Sequence, residues 1–139
     1  MMDRFGPSPR NLIARLACQG GATAVEFAII APVFLVMVLG TVELGRAMWI
    51  KASIQYAVEE TTRYAMVNTG TSMSDLQTYA GTQLIGVEEA DVTFVAQTES
   101  ADGSSFVSIT GSHNFSVLVP IVPLPDVTLS AKSRVPLNP

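Results

Sequence analysis

An uncharged apolar run near the N-terminus most constrains how this chain can fold. No charged residue occurs between Phe27 and Val42, and Ala22–Val25 lengthens the run, with Glu26 as its one charge. The extended run is about 20 residues long, which is enough for a helix to cross the hydrocarbon core of a bilayer. A chain of 139 residues has little other mass in which to bury such a helix. We therefore expect a membrane span over about 22–42.

The distribution of charge gives this span an orientation. Residues 1–21 carry three arginines and one aspartate, whereas residues 22–139 carry five basic and eleven acidic residues. Basic flanks tend to remain cytoplasmic, so the head is expected inside and the acidic tail across the membrane. Arg46, Trp49 and Lys51 follow the span, where basic and aromatic side chains anchor helices at the membrane interface.

The composition excludes several classes of function. A net charge of −4 argues against a nucleic-acid partner bound by phosphate neutralisation. One cysteine cannot form an intramolecular disulfide, and one histidine cannot build a His-rich metal site. The sequence contains neither a Gly-x-Ser-x-Gly elbow nor a phosphate-binding glycine loop. We therefore expect no enzyme, no cofactor, no metal and no small-molecule substrate.

The order of segments also differs from that of a secretory signal. The small residues Gly20, Gly21 and Ala22 precede the apolar run, and no Ala-x-Ala site follows it. Cleavage on the cytoplasmic side, between Gly21 and Ala22, fits this order better. It would remove a basic leader, residues 1–21, and place Glu26 fifth in the mature chain.

Several motifs resemble those of a known family. Residues 21–27 read Gly-Ala-Thr-Ala-Val-Glu-Phe and resemble the processing site of type IV pilin-like proteins. Pro32 follows, then Val-Glu-Leu-Gly-Arg at 42–46 and Ala-Val-Glu-Glu-Thr-Thr-Arg-Tyr-Ala at 57–65. Together they resemble TadE-like proteins, the minor pseudopilins of the tight-adherence (Tad/Flp) pilus and secretion system. The resemblance covers residues 20–68 well and the remainder only in general organisation.

The resemblance implies a structural role in pilus biogenesis and adhesion. It implies processing by a prepilin peptidase, and contacts with the major Flp pilin and other pseudopilins through the N-terminal helix. The pilus assembly platform and membrane lipid are further expected partners. The location is the bacterial inner membrane, single-pass, and incorporation into the pilus stays open. The alternatives are a TadF-like or short TadG-like pseudopilin of the same system, or an uncleaved, signal-anchored extracytoplasmic binding domain.

Four residues of the span carry specific expectations. A carboxylate inside an apolar helix is costly to bury, so Glu26 calls for a partner. Cleavage would free a positive α-amino group on Ala22, which can pair with Glu26 of a neighbouring subunit and set the axial register; snorkelling to the headgroups is the alternative. Phe27 completes this assembly motif. Pro32 removes a backbone donor and predicts a kink.

Periodicity predicts that the helix continues beyond the membrane. Small or apolar residues recur at helical spacing and form one stripe, which comprises Ala47, Ile50, Ile54, Ala57, Thr61 and Tyr64. Glu59 and Arg63 are spaced for an i,i+4 ion pair. Asn68-Thr69-Gly70 predicts the helix end. The long helix is therefore expected over 22–68.

Residues 69–139 are expected to form a small α/β domain outside the membrane. A capping box at Ser74-Asp75-Leu76-Gln77 predicts a short helix, and alternating residues from Val92 onward predict strands. Asp102-Gly103 predicts a hairpin turn. The prolines Pro120, Pro123 and Pro125 predict a stiff loop, and a last strand with Leu129, Ala131 and Val135 on one face follows. The predicted fold class is thus α+β, with a small antiparallel sheet of three or four strands.

Overall fold

A long helix, a short helix and an antiparallel sheet make up the described part of the chain. The computed structural model describes residues 10–101, 103–118 and 127–137, with side chains from residue 21 onward. In chain order the elements are α1 (Arg10–Val67), α2 (Met73–Thr82), a 3-10 turn (Glu89–Asp91), β1 (Val92–Ala101), β2 (Ser104–Phe115) and β3 (Val127–Pro136). The predicted α+β class is confirmed, with three strands in this part of the chain.

The chain divides into two compact units, Met1–Thr41 and Val42–Pro139. The first unit contains the N-terminal part of α1. The second contains the rest of α1 and all the other elements, and it holds the hydrophobic core.

Within the second unit, α1 buries one face along its length. The predicted stripe is confirmed, since Ile50, Ile54, Ala57 and Thr61 are buried and its two end residues are partly buried. A parallel row that the stripe did not include is also buried, and it comprises Ser53, Val58, Thr62 and Ala65. Two adjacent rows make the wide apolar face typical of a helix that packs on a sheet. The helix ends at Val67, as the sequence predicts.

The three strands pair in their order along the chain, β1 with β2 and β2 with β3. Ala101 lies opposite Ser104, so a two-residue connection joins β1 to β2. Gly103 in this connection has a φ of 76°, a left-handed conformation that glycine adopts without steric cost. Asp102 and the three prolines at 120, 123 and 125 lie outside the described residues.

The sheet turns its apolar face to α1, and the closest approach is at Gly111. Gly111 lies between Phe94 of β1 and Ala131 of β3 in the strand register. A Cβ atom at Gly111 would lie 2.6 Å from Cγ2 of Ile54 and 2.8 Å from Cε1 of Phe94. A hydrogen bond of 3.0 Å between the hydroxyls of Thr62 and Ser133 adds a polar contact between helix and sheet.

The opposite face of the sheet is polar, and a carboxylate ties its three strands together. Glu99 of β1 accepts hydrogen bonds through Oε1 from Lys132 of β3, from Ser108 of β2 at 2.9 Å and from Gln97 at 3.0 Å. The ammonium group of Lys132, helped by the two neutral donors, lowers the pKa of Glu99 from 4.5 to about 2. Glu99 therefore stays ionised throughout the neutral and mildly acidic range.

Two local predictions are wrong in detail. The N-cap of α2 is Ser72 rather than Ser74, because Ser72 has the extended backbone of a cap and its Oγ accepts from the Asp75 N–H at 3.1 Å. Arg63 pairs with Glu60, at 3.8 Å, rather than with Glu59, whose carboxylate accepts a hydrogen bond from Gln55.

Replacing Gly111 tests the close approach of α1 to the sheet. Gly111→Val is expected to lower the free energy of unfolding by about 1–3 kcal/mol, because the new side chain overlaps the fully buried Ile54 and the core is already filled. Guanidinium unfolding of the full chain in detergent, followed by fluorescence of the single tryptophan, Trp49, measures this change. The matched control is Gly45→Ala, because a Cβ at Gly45 meets nothing within 4 Å. Equal stability of Gly111→Val and the parent chain would contradict the packing.

Candidate functional site

The first candidate site is the apolar part of α1. In the described part of the chain, Gly21–Val67 is long and apolar enough to cross a membrane, and none of its most apolar window is buried. Large apolar side chains in this part are well exposed, among them Ile29 (68%), Phe34 (62%) and Met37 (68%). A helix that shows apolar side chains on all sides is suited to lipid or to other apolar helices.

The residues of the predicted processing and assembly motif all lie in helical backbone. Gly21, Ala22 and Glu26 are exposed on α1, and Phe27 is 71% exposed. Ala22 and Glu26 are four residues apart and so lie on the same helix face, one turn from each other. The structure thus brings the predicted new N-terminal residue and the carboxylate to one side of the helix.

Pro32 lies inside α1, and the helix continues beyond it. Proline has no N–H group, so the carbonyl of Ala28, four residues earlier, has no intrahelical donor at this point. One backbone hydrogen bond of the helix is therefore missing in the middle of the apolar segment.

The second candidate site is a polar clamp formed by Glu43 and Arg46 just beyond the apolar segment. Arg46 donates from Nη2 and Nε to Oε2 of Glu43, at 3.0 and 3.2 Å. Arg46 also donates to the carbonyl of Ser116, and Oε1 of Glu43 accepts from the backbone N–H of Leu118 at 2.9 Å. The two side chains therefore bind one backbone carbonyl and one backbone N–H group of the segment that follows β2.

The clamp is partly shielded from water. The guanidinium group of Arg46 lies 4.3 Å from the ring centroid of Phe115, the last residue of β2. The Glu43 side chain is only 12% exposed, and that of Arg46 is 33% exposed. Reduced exposure strengthens charge-assisted hydrogen bonds relative to those on an open surface.

The other predicted interface residues have different surroundings. The indole of Trp49 donates to the carbonyl of Ile85 at 3.2 Å, and the backbone N–H of Ile85 donates to Ser53 Oγ at 2.8 Å. Trp49 thereby helps to hold the segment after α2 against α1, while 58% of its surface stays exposed. Lys51 is exposed.

Sequence reasoning missed the clamp as a site. The sequence predicts Arg46 as an anchor at the membrane interface, and it contains Glu43 only as part of the motif at 42–46. The signal was present, because a glutamate and an arginine three residues apart on a helix are placed to pair. Their backbone partners, Ser116 and Leu118, lie 70 and 75 positions away and give no pattern of their own.

Comparison with known families supports the resemblance that the motifs suggest. Residues 21–63 match the family described as TadE-like protein, which confirms the resemblance over this stretch. The match includes the apolar part of α1, the clamp and most of the buried face of the helix. Neither the curated proteins nor the solved structures give a match.

The match suggests a protein associated with the Tad pilus, from a structural rather than an enzymatic family. A single apolar N-terminal helix is compatible with a single-pass membrane protein in such a system. The match thus agrees with an association with membranes and pili in general.

Removing the clamp carboxylate should loosen the end of β2. Glu43→Ala is expected to lower the free energy of unfolding by about 1–3 kcal/mol, because it leaves the Leu118 N–H without its acceptor and Arg46 without its carboxylate partner. Unfolding followed by Trp49 fluorescence measures the loss, and hydrogen exchange of the Leu118 amide locates it.

The matched control is Glu60→Ala, which breaks an exposed ion pair in the same helix. The Glu60–Arg63 pair spans 3.8 Å and the Arg63 side chain is 70% exposed. Its loss is expected to change stability by about 0–1 kcal/mol. Equal effects of the two substitutions would show that the clamp contributes no more than a surface pair.

Proposed function

We propose that this protein is a minor pseudopilin of a Tad/Flp pilus. The chain is inserted in the bacterial inner membrane through residues 22–42, with residues 1–21 in the cytoplasm and the 69–139 domain outside. A prepilin peptidase removes the leader after Gly21. The mature protein then takes part in pilus assembly through its N-terminal helix, in contact with the major Flp pilin, other pseudopilins and the assembly platform.

The observation that carries this proposal is the family match, which starts at Gly21. That residue is the one after which cleavage is predicted. The exposed apolar helix that follows agrees with a segment that passes between lipid and other helices.

The backbone at the proposed cleavage point is suited to local opening. Gly20 and Gly21 both lie within α1. A glycine in a helix interior is about 1 kcal/mol less favourable than an alanine, so two in succession lower the cost of unwinding. For a peptidase that binds its substrate as extended backbone, the free-energy cost of unwinding the helix is lowest there.

Processing is tested by intact mass and N-terminal sequencing of the chain extracted from membranes, with and without the prepilin peptidase. We expect a chain that starts at Ala22 only when the peptidase is present. Gly21→Val should block processing because it places a branched side chain at the scissile bond, whereas the matched control Gly20→Val should still be cut. An intact N-terminus under both conditions would favour the uncleaved, anchored domain instead.

Glu26 is proposed to set the register of assembly by pairing with the α-amino group of Ala22 on a neighbouring subunit. A buried carboxylate in lipid is costly without such a partner. Glu26→Gln is expected to reduce co-purification with the major pilin severalfold, since it removes the charge and keeps the shape. The measurement is cross-linking and pull-down from membranes that hold both proteins.

The control for this test is Glu59→Gln, because Glu59 is an exposed glutamate on the same helix beyond the span. It should leave co-purification unchanged. If Glu26→Gln also leaves it unchanged while cleavage at Gly21 proceeds, Glu26 has no role in register and the processing proposal stands by itself.

A further inference from the structure

Three exposed apolar side chains lie near the end of the second unit where α1 enters it. Leu44 on α1 is 62% exposed, Leu118 after β2 is 72% exposed and Val127 at the start of β3 is 44% exposed. Leu118 and Val127 belong to the sheet end rather than to the helix. Val127 lies opposite Phe115 in the register of β2 and β3, so both come from the same end of the sheet.

The clamp fixes the position of this end of the sheet along the axis of α1. Glu43, which accepts from the Leu118 N–H at 2.9 Å, directly follows Val42, the last residue of the proposed span. Arg46, which binds the Ser116 carbonyl, is four residues beyond Val42, or about 6 Å at the helical rise of 1.5 Å per residue. The headgroup layer on each side of a bilayer is roughly 5–8 Å thick. With the span ending at Val42, the hydrogen bond from Leu118 to Glu43 therefore places Leu118 at headgroup depth.

The charges at this level do not oppose contact with lipid. Glu43 and Arg46 are the first charged residues after the span, and each neutralises the other. Nη2 of Arg46 and Oε1 of Glu43 also bind the backbone of Ser116 and Leu118, respectively. A paired and hydrogen-bonded ion pair can approach an apolar phase at much lower cost than a single charge.

We propose that Leu118 and Val127 contact the bilayer surface beside the span and give the protein a second membrane contact carried by the sheet. The inference rests on the proposed span of α1. The occupant is lipid, because covalent continuity with the span brings this end of the unit to the bilayer in every copy of the chain.

The contact is confined to the β2–β3 side of the sheet. On the other side, β1 begins at Val92 opposite His113, and Nδ1 of His113 lies 2.7 Å from the carbonyl oxygen of Asp91. The preceding turn carries Glu88 and Glu89 as well, and these acidic side chains favour water. The sheet end therefore has one apolar and one acidic side.

The test measures the depth of single cysteines in lipid. In a Cys18→Ser chain held as one copy per phosphatidylcholine nanodisc, Leu118→Cys and Val127→Cys are labelled with an environment-sensitive fluorophore. A lipid quencher placed just below the headgroups should quench both severalfold more than it quenches Val95→Cys. Val95 is the matched control, since it is 45% exposed against 44% for Val127 and lies in the middle of β1.

A third labelled position tests the membrane span of α1 separately from the contact of the sheet with lipid. Phe34→Cys, in the span and 62% exposed, reports whether α1 is in the bilayer. Quenching at Phe34 with none above the Val95 level at Leu118 and Val127 would overturn the sheet contact and leave the span intact. No quenching at Phe34 would overturn the span and the inference together. Blue-shifted emission at Leu118 without lipid quenching would show that protein covers this residue and would overturn the assignment to lipid.

Discussion

The second unit depends on the contact between α1 and the middle strand of the sheet. At Gly111 the strand has no side chain, and Ile54 of α1 occupies the space that one would fill. Because helix and strand approach so closely there, both buried rows of α1 reach the sheet. Ile109 on one side of Gly111 is fully buried, as is Val58 one turn along the helix from Ile54. The absence of a Cβ thus allows the helix that bears the apolar segment to serve as the core of the domain as well.

Periodic features of this fold could be predicted from the sequence. The helical spacing from Ala47 to Tyr64 predicted one of the two buried rows of α1, and the alternation around Leu129 and Ala131 predicted the inward face of β3. Both patterns repeat over several turns or residue pairs, so a single exception does not obscure them. The family resemblance likewise depended on a string of motifs between residues 21 and 65 of this helix.

Local choices between equivalent neighbours could not be predicted in the same way. Ser72 and Ser74 are both acceptable caps, and only the backbone conformation selects Ser72. Glu59 and Glu60 are both within reach of Arg63, and a competing donor, Gln55, engages Glu59. The clamp was hidden for another reason: its acceptor and donor groups after β2 belong to the main chain, which has no residue-specific signal.

The order of the strands has a consequence for how the domain is made. Synthesis delivers the chain from its N-terminal end, so α1 exists before any strand, and β1, β2 and β3 then appear in the order in which they pair. Among the three described strands, only β1 is made before its neighbour, whereas β2 and β3 each pair with a strand that has already been made, which keeps unpaired edges short-lived during folding. The strand made after the other two supplies both Lys132 for Glu99 and Ser133 for Thr62. β3 therefore makes side-chain contacts on both faces of the sheet, and these contacts can form only once α1 and β1 are in place.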